Sequence, residues 1–264
     1  MMPKRTTRML LGIVLGGLAA YPSPGWALSV TPPRTEVRLV PGGTTTAVIT
    51  VSNPHEEAYD VELSEKPWFI YPENRAIPVE EWLKLPFIRH FRLKPGKSHD
   101  VKITLRCPKE AKGELMGMVS VTYQGMKASM VTPMISTAVY LRIAGTERNT
   151  GEILALGAKI QNGRFQIAVK IKATGNVRLH PAGRVYLVND RGEKLADYVV
   201  SESNPIFPGV TNDYEARGPD TLPPPGRYRL SAELMSENNA MRAERSLVVN
   251  ANGELEVEKE ATTP

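Results

Sequence analysis

Apolar and polar residues alternate along the first half of the chain in stretches that predict β-strands. In three such stretches every second residue is apolar, and these residues are Ala47, Ile49 and Val51, then Tyr59, Val61 and Leu63, then Val101, Ile103, Leu105 and Cys107. Strict alternation is typical of a strand with one buried face. Turn sequences separate the stretches, at PGG (41–43), NPHEE (53–57), KPGK (94–97) and QGMK (124–127). Short strands with turns this frequent predict an all-β sandwich.

The second half repeats this pattern after GTERNTGE (145–152). Phe165, Ile167, Val169 and Ile171 alternate with polar residues or alanine, VYLVNDRGEKLADYVV reads as a hairpin, and RYRLSAELM follows the turn PPPG. We therefore predict two β-sandwich domains in tandem, over residues 28–146 and 150–250, followed by a flexible tail over 251–264. Helix is scarce, and only VEEWLKL (79–85) predicts one or two turns, with Trp82 packed inward.

Residues 1–27 have the three-part layout of a secretory signal. Lys4, Arg5 and Arg8 precede an apolar run of twelve residues, MLLGIVLGGLAA, and the small residues Gly25 and Ala27 close the segment. The alternative is a membrane anchor, but a spanning helix needs about 20 apolar residues. We expect cleavage after Ala27, leaving a soluble exported protein with no membrane insertion.

Charge and motifs argue against several functional classes. Without the leader, 30 basic residues stand against 28 acidic ones, and no basic cluster interleaved with aromatics indicates nucleic-acid binding. The chain has no GxSxG, no glycine-rich phosphate loop before a helix and no HExxH, so we predict that it is not an enzyme and takes no cofactor. Its one cysteine, Cys107, lies on an alternating strand, which predicts a buried, inert thiol.

Copper carriage is a distant alternative. Five methionines crowd into nineteen residues, namely Met116, Met118, Met126, Met130 and Met134, and thioethers suit Cu(I). The four histidines, at 55, 90, 99 and 180, form no HxM or HxH pair. Methionine as core filler or adaptable binding surface is the more ordinary interpretation, and we predict no metal site.

The first domain contains, in this order, PPRTEVRL before a glycine turn, AVITVSNP, a tyrosine-containing strand leading to KPWFIYPEN, and FRLKPGKSHDVKITL. These motifs and their order resemble those of the PapD-like periplasmic chaperones of pilus assembly. The resemblance covers residues 28–144. It implies two immunoglobulin-like domains set at an angle, with β-rich subunits such as pilins as clients and an outer-membrane usher as a further partner.

The mechanism that the resemblance implies is donation of the first domain's last strand to a client, by β-strand addition. A basic pair in the cleft would bind the client's terminal carboxylate, and Arg34 falls on the family's cleft arginine. Two departures mark a divergent relative. The last strand, within 136–145, offers Arg142 and no lysine, and the preceding strand is GELMGMVSVTYQG instead of the family's aromatic pattern.

We predict that residues 129–143 form the client-binding edge strand. No charged residue occurs from Ala128 to Leu141, and its earlier part is apolar on both faces. The predicted client-binding residues are Arg34, Met130, Val131, Met134, Ile135 and Arg142. Two alternatives stay open: Arg34 is a solvated cation and the strand an interior one, or the two sandwiches are spacers in a structural or adhesive surface protein.

Overall fold

A computed structural model of the chain describes residues 28–68, 77–125, 132–201 and 204–257, and almost all its regular structure is β-strand. The strands of the first half are β1 Ser29–Thr31, β2 Arg34–Leu39, β3 Thr44–Ser52, β4 Tyr59–Pro67, β5 Leu83–Lys84, β6 His90–Leu93, β7 Ser98–Arg106, β8 Glu114–Gly125 and β9 Met134–Ile143. Those of the second half are β10 Gly151–Gln161, β11 Arg164–Ala173, β12 Ala182–Asn189, β13 Lys194–Val200, β14 Thr211–Ala216, β15 Gly226–Ser236, β16 Asn239–Val249 and β17 Leu255–Val257.

The strands form two immunoglobulin-like β-sandwiches in tandem, as the alternation predicted. In the N-terminal domain a sheet in the order β1-β3-β7-β5 packs against one in the order β2-β9-β8-β4-β6. In the C-terminal domain the sheets have the orders β10-β11-β14 and β13-β12-β15-β16-β17. Residues 144–150 join β9 to β10.

Each domain has its own apolar core, made by the alternate residues that the sequence singled out. Ile49, Val51 and Ile103 are fully buried in the first core, whereas Val48 on the opposite face of β3 is exposed. Ile167, Val169 and Ile171 are fully buried in the second. One sheet face therefore meets the core and the other is left for contacts with solvent or other parts of the chain.

Two local predictions are confirmed and one needs correction. The short helix α1 spans Val79–Trp82 with Trp82 buried, and the hairpin of β12 and β13 turns at Asn189 to Glu193. Residues 255–257, which we assigned to a flexible tail, instead form β17 and pair with β16. The reason is that Leu255 packs against the second core, which fixes that strand to the sheet edge.

Candidate functional site

The predicted edge strand is an edge along only part of its length. β9 lies between β8, its antiparallel neighbour from Met134 to Arg142, and β2, a parallel neighbour that begins opposite Ala138. From Ala138 onward β9 is therefore an interior strand, and the prediction is wrong for that part. In the part of the chain that the structure describes, no strand pairs with the β2 side of β9 from Met134 to Ser136.

On this unpaired side of β9, the main-chain N–H and C=O groups of every second residue are exposed. The N–H groups of Ala138 and Ala144 donate to Pro33 and Leu39, on the β2 side of β9. Because the direction of main-chain groups alternates along an antiparallel strand, those of Met134 and Ser136 point to the same side. We call Met134, Ile135 and Ser136 the open edge.

A crossover between the two sheets creates the open edge. β1 pairs with β3 in one sheet, the chain crosses at Pro32 and Pro33, and β2 pairs with β9 in the other. Thr137 closes the crossover, because its hydroxyl donates to the Pro32 carbonyl oxygen at 2.7 Å. β2 consequently starts opposite Ala138 and not opposite the first residues of β9, so its first residue, Arg34, lies next to the end of the open edge.

Arg34 also lines a cleft between the two domains with a volume of about 480 Å³. Its lining residues are Arg34, Glu36, Val37, Arg38, Glu114, Tyr140 and Arg142 from the N-terminal domain and His180 and Glu237 from the C-terminal domain. The Arg34 side chain is 68% exposed, and its Nε lies 3.5 Å from Glu36 Oε1. An exposed arginine beside a cleft suits a planar anion such as a carboxylate.

Arg142 lies in the same cleft, but its guanidinium forms ion pairs with two carboxylates. Its Nη1 donates to Glu237 Oε1 at 2.5 Å and its Nε donates to Glu114 Oε1 at 3.3 Å. Glu237 belongs to the C-terminal domain, so Arg142 joins the two domains. Its guanidinium is thus paired with two carboxylates, whereas that of the more exposed Arg34 lies near one, Glu36.

A buried ion pair is the centre of the domain contact. Glu114 at the start of β8 is fully buried, and Arg178, in the segment between β11 and β12, is 2% exposed. Arg178 donates to the Glu114 carboxylate from its main-chain N–H, from Nε at 3.0 Å and from Nη2 at 2.9 Å. A buried ion pair is stable only when its hydrogen bonds are satisfied, which this bidentate geometry achieves.

Tyr140 and Gly113 complete the contact around this pair. The guanidinium carbon of Arg178 lies 3.3 Å from the centre of the Tyr140 ring, a cation–π contact. Burial raises the pKa of the Tyr140 hydroxyl, although Arg178 opposes that rise. Gly113 has a φ of 74°, and a Cβ there would collide with the main chain of Asn176. The two domains approach so closely at this point that only glycine fits.

The connection between the domains is tied down by side chains. Asn176 accepts from the Arg148 N–H and donates to the Thr146 carbonyl oxygen at 3.0 Å. Arg38 donates from Nε to Glu147 at 2.6 Å, and this hydrogen bond lowers the pKa of the Glu147 carboxyl to about 2. The Glu147 carboxylate therefore stays ionised at neutral pH and holds the connecting segment against β2.

The structure brings some of the predicted site residues together. Arg34 and Arg142 line one cleft, Met134 is 52% exposed on the open edge, and Ile135 is half-buried against the N-terminal core. Met130 and Val131 lie outside the described residues. Val139, Leu141 and Ile143, which alternate along β9, are fully buried.

Four residues of this site were not predicted from the sequence: Glu114, Arg178, Glu36 and Tyr140. A signal existed for two of them: Glu114 is the one acid in the apolar run of β8, and Arg178 stands between Val177 and Leu179 at positions that read as core. A charge at an apolar strand position indicates a paired, buried ion. The sequence does not show which acid and which base pair across the domains.

Within the residues that the structure describes, no group of three or more His, Cys, Asp or Glu side chains could hold a metal ion. Nor does any helix in the described ranges have the length and apolar character needed to cross a bilayer. Cys107 is buried, and burial raises the pKa of its thiol, which fits an unreactive cysteine.

Comparison with known proteins gives matches in structure only. The chain matches no protein-family model and no curated protein. Solved structures similar to it include the class 5 fimbriae chaperone CfaA, with 14% identity and a TM-score of 0.46 over 89% of this chain and 100% of that chain. Another is the E. coli chaperone DraB, with 15% identity and a TM-score of 0.40 over 89% of this chain and 98% of that one.

A third similar structure is the PapD-like domain of human CEP192, with 12% identity and a TM-score of 0.36 over 53% of this chain and 97% of that one. These likenesses concern the fold.

Proposed function

We propose that this chain is a non-enzymatic periplasmic chaperone that binds incomplete β-rich subunits, such as pilins, by β-strand addition. The observation that carries the proposal is the open edge of β9, which ends at an exposed arginine beside the interdomain cleft. A spacer in a surface structure would gain nothing from such an edge, because unpaired strand edges invite association with other chains and are usually protected by charge or bulges.

The geometry favours a client strand parallel to β9. A strand placed opposite Met134–Ser136 continues the line of β2, which itself runs parallel to β9. The C-terminal end of such a strand would face Arg34, whereas an antiparallel strand would bring its N-terminus there. The client's terminal carboxylate would then accept hydrogen bonds from the Arg34 guanidinium, while main-chain groups of Met134 and Ser136 pair with the client.

The other predicted site residues have supporting roles in this proposal. Met134, with Met130 and Val131 preceding the open edge in sequence, would supply adaptable apolar surface for client side chains. Ile135 would anchor the strand to the core, and Arg142 would hold the cleft open at a fixed angle through Glu237. An outer-membrane usher stays a prediction from the resemblance alone.

Removal of the leader is part of the proposed function. We propose that residues 1–27 direct export and are cleaved after Ala27, which places the chain in the periplasm. The intact mass of protein purified from the exported fraction is expected to correspond to a chain that starts at Leu28. A mass that retains residues 1–27 would contradict export by a cleaved signal.

The carboxylate contact is tested with two model clients. These are a short peptide of alternating valine and threonine that ends in phenylalanine with a free carboxylate, and the same peptide as a C-terminal amide. We expect the acid peptide to bind more tightly than the amide. Arg34→Ala should lower the affinity for the acid peptide about tenfold, because it removes a charged hydrogen bond. Binding is measured by calorimetry.

The matched control is Arg164→Ala. Arg164 is 70% exposed and lies 3.6 Å from Asp220, much as Arg34 lies near Glu36. We expect this variant to bind both peptides like the unmodified protein. Equal affinities for acid and amide, unchanged by Arg34→Ala, would refute the role of Arg34.

A further inference from the structure

One carboxylate oxygen of Glu36 contacts two arginines, of which Arg34 is exposed and Arg178 is buried. Its Oε1 lies 3.5 Å from Arg34 Nε and 3.3 Å from Arg178 Nη2. The Glu36 side chain is 49% exposed and lines the cleft. The carboxylate therefore stands between the proposed client-binding arginine and an arginine of the other domain.

The two arginines differ in how firmly they are held. Arg178 is fixed by its hydrogen bonds to Glu114 and by the Tyr140 ring, so its Nη2 is a stationary donor. Arg34 is exposed, and among the residues that the structure describes Glu36 is the carboxylate in ion-pair contact with it. Movement of Glu36 away from Arg34 would leave its carboxylate with a charged partner, because Arg178 stays in place.

We propose that Glu36 is a specificity-determining residue: an internal carboxylate that competes with the client's carboxylate for Arg34 and passes to Arg178 when displaced. This inference rests on the proposed function. The ligand class is the terminal carboxylate of an extended polypeptide. A free small anion has only Arg34 to bind and must displace Glu36, whereas a strand also gains main-chain hydrogen bonds along the open edge.

The competition has a direct consequence for affinity. Glu36 neutralises part of the charge of Arg34 in the free protein, so its removal should strengthen carboxylate binding. Exposed ion pairs contribute modestly, and we expect Glu36→Gln to tighten binding of the acid peptide by about two- to fivefold. Binding of the amide peptide should not change, because the amide carries no charge for Arg34 to bind.

The control for the added positive charge is Glu244→Gln. Glu244 is 58% exposed and lies 3.6 Å from Arg229 in the C-terminal domain, so the substitution makes the same change in net charge away from the cleft. We expect it to leave the ratio of acid to amide affinity unchanged. A ratio that is the same in Glu36→Gln as in the unmodified protein would overturn the inference.

A second variant tests where the displaced carboxylate goes. Arg178→Lys keeps a cation against Glu114 but removes the Nη2 that reaches Glu36. Glu36 should then stay paired with Arg34, and the acid preference, which is the ratio of acid-peptide to amide-peptide affinity, should fall by about twofold. In the Glu36→Gln background the same substitution should have no further effect on that preference. An equal effect in both backgrounds would show that Arg178 does not act through Glu36.

Failure of this inference is distinguishable from failure of the proposed function. If the acid preference depends on Arg34 and not on Glu36, the client site stands and the competition does not exist. If Arg34→Ala leaves the preference unchanged, the carboxylate contact of the proposed function fails as well. Binding of the amide peptide reports folding of the site in every variant.

Discussion

Replacing Glu114 by glutamine should lower the free energy of unfolding by about 3 to 5 kcal/mol, the cost of leaving one member of a buried ion pair without its partner. Glutamine keeps the shape of the side chain but removes the charge that compensates Arg178, which is 2% exposed. Arg142 would lose its second carboxylate at the same time. Denaturant unfolding followed by tryptophan fluorescence measures the change.

The control for this prediction is Glu62→Gln. Glu62 lies on β4 of the same sheet with a side chain that is 58% exposed, at 3.7 Å from His90. An exposed pair of this kind contributes little, so the free energy of unfolding should change by less than about 0.5 kcal/mol. A Glu114 variant as stable as the Glu62 variant would show that the pair does not hold the domains together.

Most strands were predictable because one of their faces is buried in a core and the other is exposed. Where one side of a sheet packs against the core, as at Ile49 or Ile167, apolar residues occur at every second position of the sequence. The crossover at Pro32 and Pro33 was not predictable in the same way. It depends on which sheet each half of the first strand joins, and that choice is set by packing between sheets.

The edge strand was predicted only in part for a related reason. Apolar residues on both faces of the earlier part of 129–143 predicted a surface that binds a client, but further along β9 the outer face is not available, because Tyr140 is buried there. Tyr140 contacts Arg178 and, with ring centres 5.7 Å apart, Trp68. The outer face thus has contacts of its own within the chain, which a single sequence does not distinguish from a binding surface.

Replacing Met134 by glutamate should weaken binding of the model client peptides strongly while leaving the thermal midpoint almost unchanged. Met134 is 52% exposed, and Lys66 Nζ lies 3.5 Å from its sulfur, so a glutamate there has a cation nearby and need not enter the core. The client must cover this position, and covering a charge weakens binding by at least about tenfold. Calorimetry and thermal unfolding of one preparation measure both effects.

Two comparisons make this result specific. Met235→Glu alters a methionine that is 50% exposed in the C-terminal domain, and it should affect neither binding nor stability. Ile135→Glu places a charge against the N-terminal core and should lower the free energy of unfolding by several kcal/mol. If Met134→Glu destabilises the protein as strongly as Ile135→Glu, Met134 is an interior residue and no client surface exists there.

The central claim, addition of a client strand along the open edge, is tested most directly by amide hydrogen exchange at Ser136, followed residue by residue with NMR. The Ser136 N–H points away from β8, so it should exchange rapidly in the free protein and at least about tenfold more slowly when the acid peptide is bound. The neighbouring Thr137 N–H, which faces β8, should exchange slowly in both states. Rapid exchange at Ser136 in a protein saturated with peptide would contradict strand addition at this edge.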